Sequence, residues 1–400
     1  MKYQNFIFLF IISAFLESCG QVNTSSDSSK TKVDTIIVQK DSLKKLPKTA
    51  PVLNGPMFNE IASILGGIED STNSLNYLFD TLAWKNNKTF INDNWKKIEH
   101  TRLNKMGAWR DKELAAPNQN CKTVFYPFSG PDFLTANCFF PNADKIIMLG
   151  LEPIGSLPNI YKFKGADALD YAQDFQKSLT DIFQKSYFIT SYMLRDFQQE
   201  KVNGLLPVLS FFITKTGHKI IDIKFLSKQN TGLVEQAYNA KVKPMGVKIT
   251  CSKNNMIKTI YYFKYDVSNQ YFNDSTVFYK FINEQTKKSV TYIKSASYLL
   301  HANFMTNMKK LILKNSNYVL EDDTGIPYND IEKTKEFDIK LYGRYTQPVK
   351  DFPYLQLQTG IVKAFQTDSA SIPDLPFHLG YHWALKKDLL IYSIKKTPLK

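Results

Sequence analysis

The sequence predicts an α/β protein with a mainly parallel mixed sheet, flanking helices, a helical N-terminal segment and a β-hairpin insertion. Short apolar runs of β-type residues alternate with helical patterns along the chain, an order that is typical of parallel sheets. The stretch 121–158, CKTVFYPFSGPDFLTANCFFPNADKIIMLGLEPIGSLP, contains two such runs, and each ends in a polar loop with Gly and Pro. The stretch 291–328 follows the same order of strand, small-residue turn, short helix, strand and acidic loop.

The stretch 121–158 predicts two strands joined by a short helix. Val124–Tyr126 is the end of the first strand, and Lys145–Leu151 is a buried second strand. Pro127–Pro131 interrupts the apolar pattern, and Asp132 is placed to cap a helix that continues through Asn137. The carboxyl end of each strand is therefore expected to carry a polar loop.

The stretches 121–158 and 291–328 are candidates for an internal duplication. When they are aligned, Ser295 falls on Ser129 and, after a gap of four residues, Asp322 falls near Glu152. Few letters are shared, so chance is the alternative explanation. The shared order of elements is a stronger indication than the shared letters.

Helical patterns precede and follow the first of these stretches. Apolar residues recur at helical spacing within 57–118, which is predicted to be a helical segment, whereas 119–400 is predicted to be the α/β domain. Ala166–Gln199 is a long amphipathic pattern with an interruption near Tyr187.

A β-hairpin and two late strands complete the predicted sheet. Val247–Cys251 and Ile257–Tyr265 flank Lys253-Asn254-Asn255, and Asn tolerates the positive φ angles that tight hairpin turns need. Phe337–Tyr345 and Leu389–Ile394 are the predicted late strands.

The N-terminus has the pattern of an export signal. Lys2 supplies a short basic region, Phe6–Leu16 is an apolar run of eleven residues, and Leu16-Glu17-Ser18-Cys19 follows. The run is too short to span a bilayer and has the length of a signal-peptide core. The ending resembles the lipobox of bacterial lipoproteins, in which a small residue precedes a lipidated Cys; Glu17 departs from that pattern.

This resemblance implies an address in the cell envelope. Residues 1–18 would be a signal peptide, Cys19 would carry the lipid, and 19–56, rich in Ser, Thr, Lys, Asp and Pro, would be a flexible tether. Gly20 after the Cys resembles lipoproteins that are sent to the outer membrane. We therefore expect an exported protein held on a membrane by its N-terminal lipid. An uncleaved anchor and an ordinary secretory signal are the alternatives.

The net charge of +14 does not indicate a nucleic-acid-binding protein. All but four of the 51 basic residues are lysines, and they are spread along the chain. Nucleic-acid readers rely on arginine for two-point contacts to phosphate and guanine. The excess therefore predicts a solvated, lysine-rich surface and no nucleic-acid partner, with weak attraction to anionic envelope polymers left open.

The cysteines downstream of the signal have two interpretations. Cys121 and Cys138 could close a small disulfide loop in an oxidising compartment. Alternatively, these residues and Cys251 are buried free thiols that pack as hydrophobic residues.

Polar residues at the expected carboxyl edge of the sheet are the candidate site, because ligands of open α/β sheets bind there. Carboxylates brought together there suit general acid/base catalysis or a hard cation such as Mg²⁺ or Ca²⁺. The alternative is that each carboxylate only caps a helix or forms a turn. The candidate catalytic residues are Asp132, Glu152, Asp322 and Asp323, and the candidate ligand-binding residues are Ser129, Gly130, Arg344 and His378.

The sequence leaves two functions open. The first is a binding or structural lipoprotein that recognises a polar ligand. The second is a lipid-anchored hydrolase or transferase that uses the four carboxylates, with or without a divalent cation. A serine nucleophile with His301, His378 or His382 as its base is a further option, although the G-x-S-x-G motif is absent.

Overall fold

Ten strands form one sheet in the described part of the computed structural model. The structure describes residues 52–163, 165–185, 187–188, 202–229, 232–239, 241, 243–350, 352, 354, 356–367, 369–385 and 387–399. The strands are β1 (Thr123–Tyr126), β2 (Lys145–Gly150), β3 (Lys219–Gln229), β4 (Gly232–Ala237), β5 (Gly246–Lys253), β6 (Met256–Lys264), β7 (Ser289–Ile293), β8 (Ser316–Glu321), β9 (Phe337–Gly343) and β10 (Leu389–Lys395).

The strands are parallel at the centre of the sheet and antiparallel at both ends. Their order is β4-β3-β5-β6-β2-β1-β7-β8-β10-β9. The neighbours from β6 to β8 pair in parallel, and the remaining neighbours pair antiparallel. The predicted α/β class is therefore confirmed. The hairpin of β5 and β6 turns at Asn254 and Asn255, whose φ angles are 51° and 63°.

Helices precede the sheet and cover both of its faces. The α-helices are α1 (Gly55–Leu65), α2 (Leu82–Ile98), α3 (Asn104–Glu113), α4 (Ala115–Asn120), α5 (Phe133–Phe139), α6 (Ala166–Lys185), α7 (Leu206–Lys215), α8 (Val277–Gln285), α9 (Thr306–Asn315), α10 (Tyr328–Thr334) and α11 (Thr359–Thr367). Short 3₁₀ helices are Asn76–Asp80, Ile160–Lys162, Leu299–His301, Asn303–Met305 and Gly380–Leu385. A π-helical turn, Glu99–Leu103, joins α2 to α3.

Two βαβ units meet at the centre of the sheet. The first runs from β1 through α5 to β2, and the second runs from β7 through α9 to β8. Because β1 and β7 are neighbours and the units extend in opposite directions, right-handed crossovers put the two helices on opposite faces. The observed packing agrees, since α5 and α9 contribute to different core clusters. The gap between β1 and β7 is a topological switch point.

Alternation along the strands builds a core on each face. Val124 and Tyr126 of β1 belong to the larger core, whereas Phe125 belongs to the core on the opposite face. Such burial of both faces is what a central parallel strand requires. The larger core also includes Trp84 of α2 and Trp109 of α3, so the N-terminal helices pack on the same face as α5.

Several predicted segments lie outside the described residues. They are the signal peptide, the lipobox with Cys19, most of the tether, and the part of the predicted long helix beyond α6. Chain contacts separate Met1–Pro51 from Val52–Lys400, and the sheet with its helices belongs to the second unit. None of the helices within the described ranges combines the length and apolar character needed to cross a bilayer.

Candidate functional site

A buried ion pair joins the two βαβ units at the switch point. Asp132 lies at the start of α5, and Lys294 directly follows β7. The Lys294 Nζ lies 2.5 Å from the Asp132 Oδ2, and each side chain is 2% exposed. Taking two charges out of water carries a large desolvation cost, so such a pair is weak evidence of stabilisation by itself. Its position beyond the carboxyl ends of parallel strands is where α/β proteins bind ligands.

Further hydrogen bonds hold the Asp132 carboxylate in place. The backbone N–H of Thr135 donates to Oδ1, as expected of a helix cap, and the Thr135 hydroxyl donates to Oδ2 at 2.6 Å. The Tyr126 hydroxyl donates to Oδ2 at 3.0 Å. Burial, with the charge of Asp132, raises the pKa of Tyr126 well above its usual value, so the phenol stays a proton donor. Asp132 therefore acts as the predicted cap and also as the partner of Lys294.

A small cavity lies between the loops that follow β1 and β7. Its volume is about 30 Å³, which is enough to hold a water molecule. We call it the switch-point cleft. Its lining residues are Tyr126, Phe128, Ser129, Gly130, Asp132, Tyr187, Phe188, Lys294 and Ser295.

Both loops of the switch-point cleft contain residues with left-handed backbone. Phe128 and Gly130 have φ angles of 60° and 52° in the first loop, and Ser295, Ser297 and Tyr298 have φ angles of 58°, 53° and 60° in the second. Non-glycine residues in this region cost free energy and cluster at ligand-binding sites. The shared backbone conformation adds to the shared order of elements, while the internal duplication remains a prediction.

The two serines that the sequence alignment pairs differ in their hydrogen bonds. The Ser129 hydroxyl donates to the carbonyl oxygens of Gly130 and Leu149. The Ser295 Oγ is buried and has no hydrogen-bond partner. Buried polar atoms nearly always have hydrogen-bond partners. A polar group that enters the switch-point cleft is therefore expected to hydrogen-bond to the Ser295 Oγ.

Asp322 and Asp323 follow β8 and are buried side by side. Asp322 accepts the backbone N–H of Ser295 at 2.9 Å, and it also accepts the backbone N–H and hydroxyl of Thr324. Burial and the charge of Asp323 raise the pKa of Asp322 above its usual value, against the effect of these hydrogen bonds. Asp322 therefore forms the predicted turn and also holds the backbone of the second cleft loop.

Asp323 is the centre of a buried network with His382. Its Oδ1 lies 3.0 Å from the His382 Nε2, and its Oδ2 accepts the Tyr298 hydroxyl at 2.6 Å. The Tyr298 hydroxyl in turn accepts the backbone N–H of Val349. Burial lowers the pKa of His382, but the hydrogen bond and charge of Asp323 outweigh it, so the pKa lies above its usual value.

Glu152 follows β2 and does not line the switch-point cleft. Its Oε2 accepts the Tyr262 hydroxyl at 3.0 Å and the backbone N–H of Leu151 at 3.1 Å. Burial raises the pKa of Tyr381 to about 12, and the charges of Asp322 and Glu152 both contribute. The charges of Glu152 and Asp322 thus both act on the Tyr381 hydroxyl.

A close backbone contact fixes the loop that carries Glu152. Gly155 has a φ angle of 68°, and a Cβ placed on it would lie 1.7 Å from the Asn203 carbonyl oxygen. The Asn203 carbonyl accepts the backbone N–H of Ser156 at 2.9 Å. Only glycine fits this position, since both the conformation and the space exclude a side chain.

Two predicted ligand-binding residues lie away from the switch-point cleft. Arg344 makes a two-point contact with Asp374, at 3.1 and 3.3 Å, and both side chains are exposed. They border a separate surface cavity of about 370 Å³. The His378 Nδ1 lies 2.6 Å from the Asp388 Oδ2, and its ring borders another cavity of about 350 Å³.

The predicted carboxylates do not form a metal-binding cluster within the described residues. No group of three His, Cys, Asp or Glu side chains there has the arrangement needed to hold an ion. Asp132 contacts a lysine ammonium, Glu152 contacts a phenol, and Asp323 contacts a phenol and an imidazole. Such partners favour hydrogen-bonded, positioned carboxylates over ligands of Mg²⁺ or Ca²⁺.

Lys294 is the site residue that sequence reasoning missed. The sequence hardly marks Lys294 as a site residue, because it is one of many lysines and is distinguished only by following a buried strand. Its partner Asp132 was found because helix caps have a local sequence signature. An ion pair between residues this distant in sequence depends on which strands become neighbours.

The cysteines in the described part of the chain are free thiols, so the alternative without a Cys121–Cys138 disulfide holds. Burial raises the pKa of Cys121 to about 11, that of Cys138 to about 11 and that of Cys251 to about 12. These thiols are packing residues rather than reactive groups.

The fold and the site define an α/β protein with a doubly wound centre and a polar cleft at its switch point. Comparison with known proteins found no matching family model, no matching curated protein and no matching solved structure. The function is therefore inferred from the geometry of the site.

Proposed function

We propose that this protein is a lipid-anchored binding protein of the bacterial cell envelope, and that its switch-point cleft receives a polar group of a small ligand. The observation that carries this proposal is the buried Ser295 Oγ, which belongs to a residue of the cleft wall and has no hydrogen-bond partner. A volume of about 30 Å³ admits one polar group and leaves the rest of a ligand outside the cleft.

The charges in the cleft favour a neutral group over an ionised one. The charges of Asp132 and Lys294 balance each other at 2.5 Å, so neither is left to pair with an entering ion. A hydroxyl group can donate and accept at once, which suits both Ser295 and the ion pair. The ligand class that fits is therefore a neutral polyhydroxy compound, such as a sugar.

A thermal-shift titration with neutral sugars tests this proposal. Glucose, mannose and N-acetylglucosamine are the probes, and glucuronate is the charged comparison. A sugar at tenfold excess over its Kd should stabilise the protein by about 1.4 kcal/mol, because it binds only the folded state. Ser295→Ala should lose the shift, since it removes the unpartnered hydroxyl.

Ser297→Ala is the matched control for the titration. Ser297 has the same left-handed backbone, but its hydroxyl lies 3.3 Å from the Tyr381 hydroxyl. This variant should keep the sugar-induced shift. Equal shifts for wild type and Ser295→Ala, or no saturable shift with any sugar, would overturn the binding proposal.

The lipid anchor has a separate test. Mass spectrometry of protein extracted from membranes should find a chain that begins at a lipid-modified Cys19. An unmodified Met1 in that material would refute the anchor and leave the cleft proposal intact.

A lipid-anchored hydrolase or transferase is the second candidate, and one observation favours it. The pKa of Asp322 is raised by burial and by the charge of Asp323, as a general acid near neutral pH requires. Asp322→Asn should then abolish hydrolysis of chromogenic glycosides or esters. Absence of hydrolysis by the wild-type protein across that panel would remove this candidate.

A further inference from the structure

The cavity of about 350 Å³ that His378 borders opens beside the π-helical turn between α2 and α3. It lies between that turn, the carboxyl end of α6 and the loop that carries His378. We call it the basic cavity. Its polar lining residues are Lys97, Thr101, Arg102, Gln184, Lys185 and His378.

Arg102 supplies a buried positive charge to the basic cavity. The residue is 8% exposed, and its guanidinium donates to the carbonyl oxygens of Ile182 and Phe183 at 2.9 and 3.4 Å. Burial lowers the pKa of Arg102 to about 10, and the charge of Asp132 only partly offsets this. Buried charges in proteins are normally paired, whereas the contacts of Arg102 are with neutral carbonyls.

The charges around Arg102 leave the basic cavity positive. Lys185 is paired with Asp181 at 2.9 Å, and His378 is paired with Asp388. None of the described residues that line the basic cavity is a carboxylate. Lys97 and Arg102 therefore provide positive charge that no contacting carboxylate neutralises.

The π-helical turn explains why these groups face one space. A π turn inserts an extra residue into a helix and shifts the side chains that follow, and such turns are frequent at functional sites. Arg102 lies within the turn, and Lys97 lies in the last turn of α2. The turn thus lets Arg102 cap the carboxyl end of α6 while Lys97 also lines the basic cavity.

We infer that the basic cavity binds a phosphate-type oxyanion. A guanidinium presents several N–H donors in one plane, and a flexible ammonium adds a point charge, a combination that recurs in phosphate sites. Thr101 and Gln184 add neutral polar groups at the same cavity. The oxyanion is either inorganic phosphate or the phosphate of a glycerophosphate-type head group, because both present the same oxygens.

Calorimetric titration of the full chain at constant ionic strength tests this inference. The probes are inorganic phosphate, glycerol phosphate and vesicles that contain phosphatidylglycerol, each compared with chloride. Saturable binding of at least one probe is expected. The double variant Lys97→Met with His378→Gln should weaken that binding about tenfold, which corresponds to ~1.4 kcal/mol. Binding of phosphate alone identifies a free ion, whereas binding of glycerol phosphate or vesicles alone identifies a head group.

Lys96→Met is the matched control, because Lys96 is an exposed neighbour on α2 that does not line the basic cavity. It should bind each probe as the wild type does. Arg102→Met removes the cap of α6 and can unfold the chain, so the double variant carries the conclusion. Unchanged affinity in the double variant, an equal loss in Lys96→Met, or no saturable binding of any probe would overturn the inference.

Discussion

Lys294 and Asp132 are 2.5 Å apart although one follows β7 and the other caps α5, so a single ion pair ties the two βαβ units together at their shared edge. The ion pair can form only when β1 and β7 are neighbours in the sheet. Its contribution to stability therefore reports whether the two βαβ units are docked at the switch point.

We expect Lys294→Met to destabilise the protein by about 3–5 kcal/mol, because it removes the cation that the buried Asp132 contacts. Adding Asp132→Asn to that variant should recover part of the loss, since the second change removes the charge left behind. Urea unfolding of the four proteins in this double-mutant cycle measures the coupling.

Lys287→Met is the control for that cycle. Lys287 pairs with Glu284 at 2.5 Å, but both side chains are more than half exposed. The substitution should change the free energy of unfolding by less than about 1 kcal/mol. If the losses of stability in the two single variants simply added in the double variant, Lys294 and Asp132 would not be coupled, which would contradict the ion pair.

Gly155→Ala should destabilise the protein far more than Gly165→Ala. Both glycines have positive φ angles, 68° and 46°, so both variants incur a conformational cost of about 1 kcal/mol. A Cβ at Gly165 meets nothing within 4 Å, whereas one at Gly155 overlaps the Asn203 carbonyl. Thermal unfolding of the two variants measures the difference, and equal midpoints would show that the loop after β2 does not pack as described.

The His382–Asp323 pair predicts a loss of stability at alkaline pH. The folded-state pKa of His382 lies above its usual value of 6.5, so the folded protein binds the proton more tightly than the unfolded chain. The resulting stabilisation is complete below pH 6.5 and is lost as the pH rises through the folded-state pKa. The difference in unfolding free energy between wild type and His382→Gln should therefore shrink at alkaline pH.

His218 provides the opposite control for that experiment. Burial and the nearby Lys258 and Lys253 lower its pKa from 6.5 to about 4. His218 therefore makes the unfolding free energy pH-dependent between pH 4 and 6.5, where stability rises with pH. His218→Gln should alter the unfolding free energy only between pH 4 and 6.5. If it also altered the alkaline loss of stability, that loss could not be assigned to His382.

Cys121 and Cys251 should react slowly with a thiol reagent in the folded protein. Their pKa values of about 11 and about 12 leave little thiolate at neutral pH, and both side chains are buried. Reaction should become fast in denaturant. In protein produced without the lipid, a Cys19→Ser background keeps the N-terminal thiol from contributing. Fast reaction under native conditions would contradict the described packing.

Local patterns predicted the elements of the fold better than their contacts. The cap at Asp132 and the turn at Asn254 and Asn255 depend on neighbouring residues, so the sequence identified them. The strand β4, Gly232–Ala237, was missed because its residues are largely exposed and do not alternate. The helix α8, Val277–Gln285, was missed because few of its residues are buried.

The candidate site was predicted only in part, for the same reason. Asp132, Glu152 and Asp322 follow parallel strands, and an edge of the sheet gathers such residues whatever their role. The partner of each carboxylate comes from a distant segment, as with Lys294 for Asp132, Tyr262 for Glu152 and His382 for Asp323. Arg344 also follows a strand whose carboxyl end lies at that edge, but β9 is the outermost strand, three positions beyond β7, so Arg344 lies away from the switch point.

The free thiols of Cys121, Cys138 and Cys251 make the described fold independent of redox conditions. No cross-link within the described residues has to form, so an oxidase or a disulfide isomerase has no step to catalyse there. The folded unit should therefore reach the same stability in reducing and in oxidising buffer, and it can be produced in either compartment of a bacterial host.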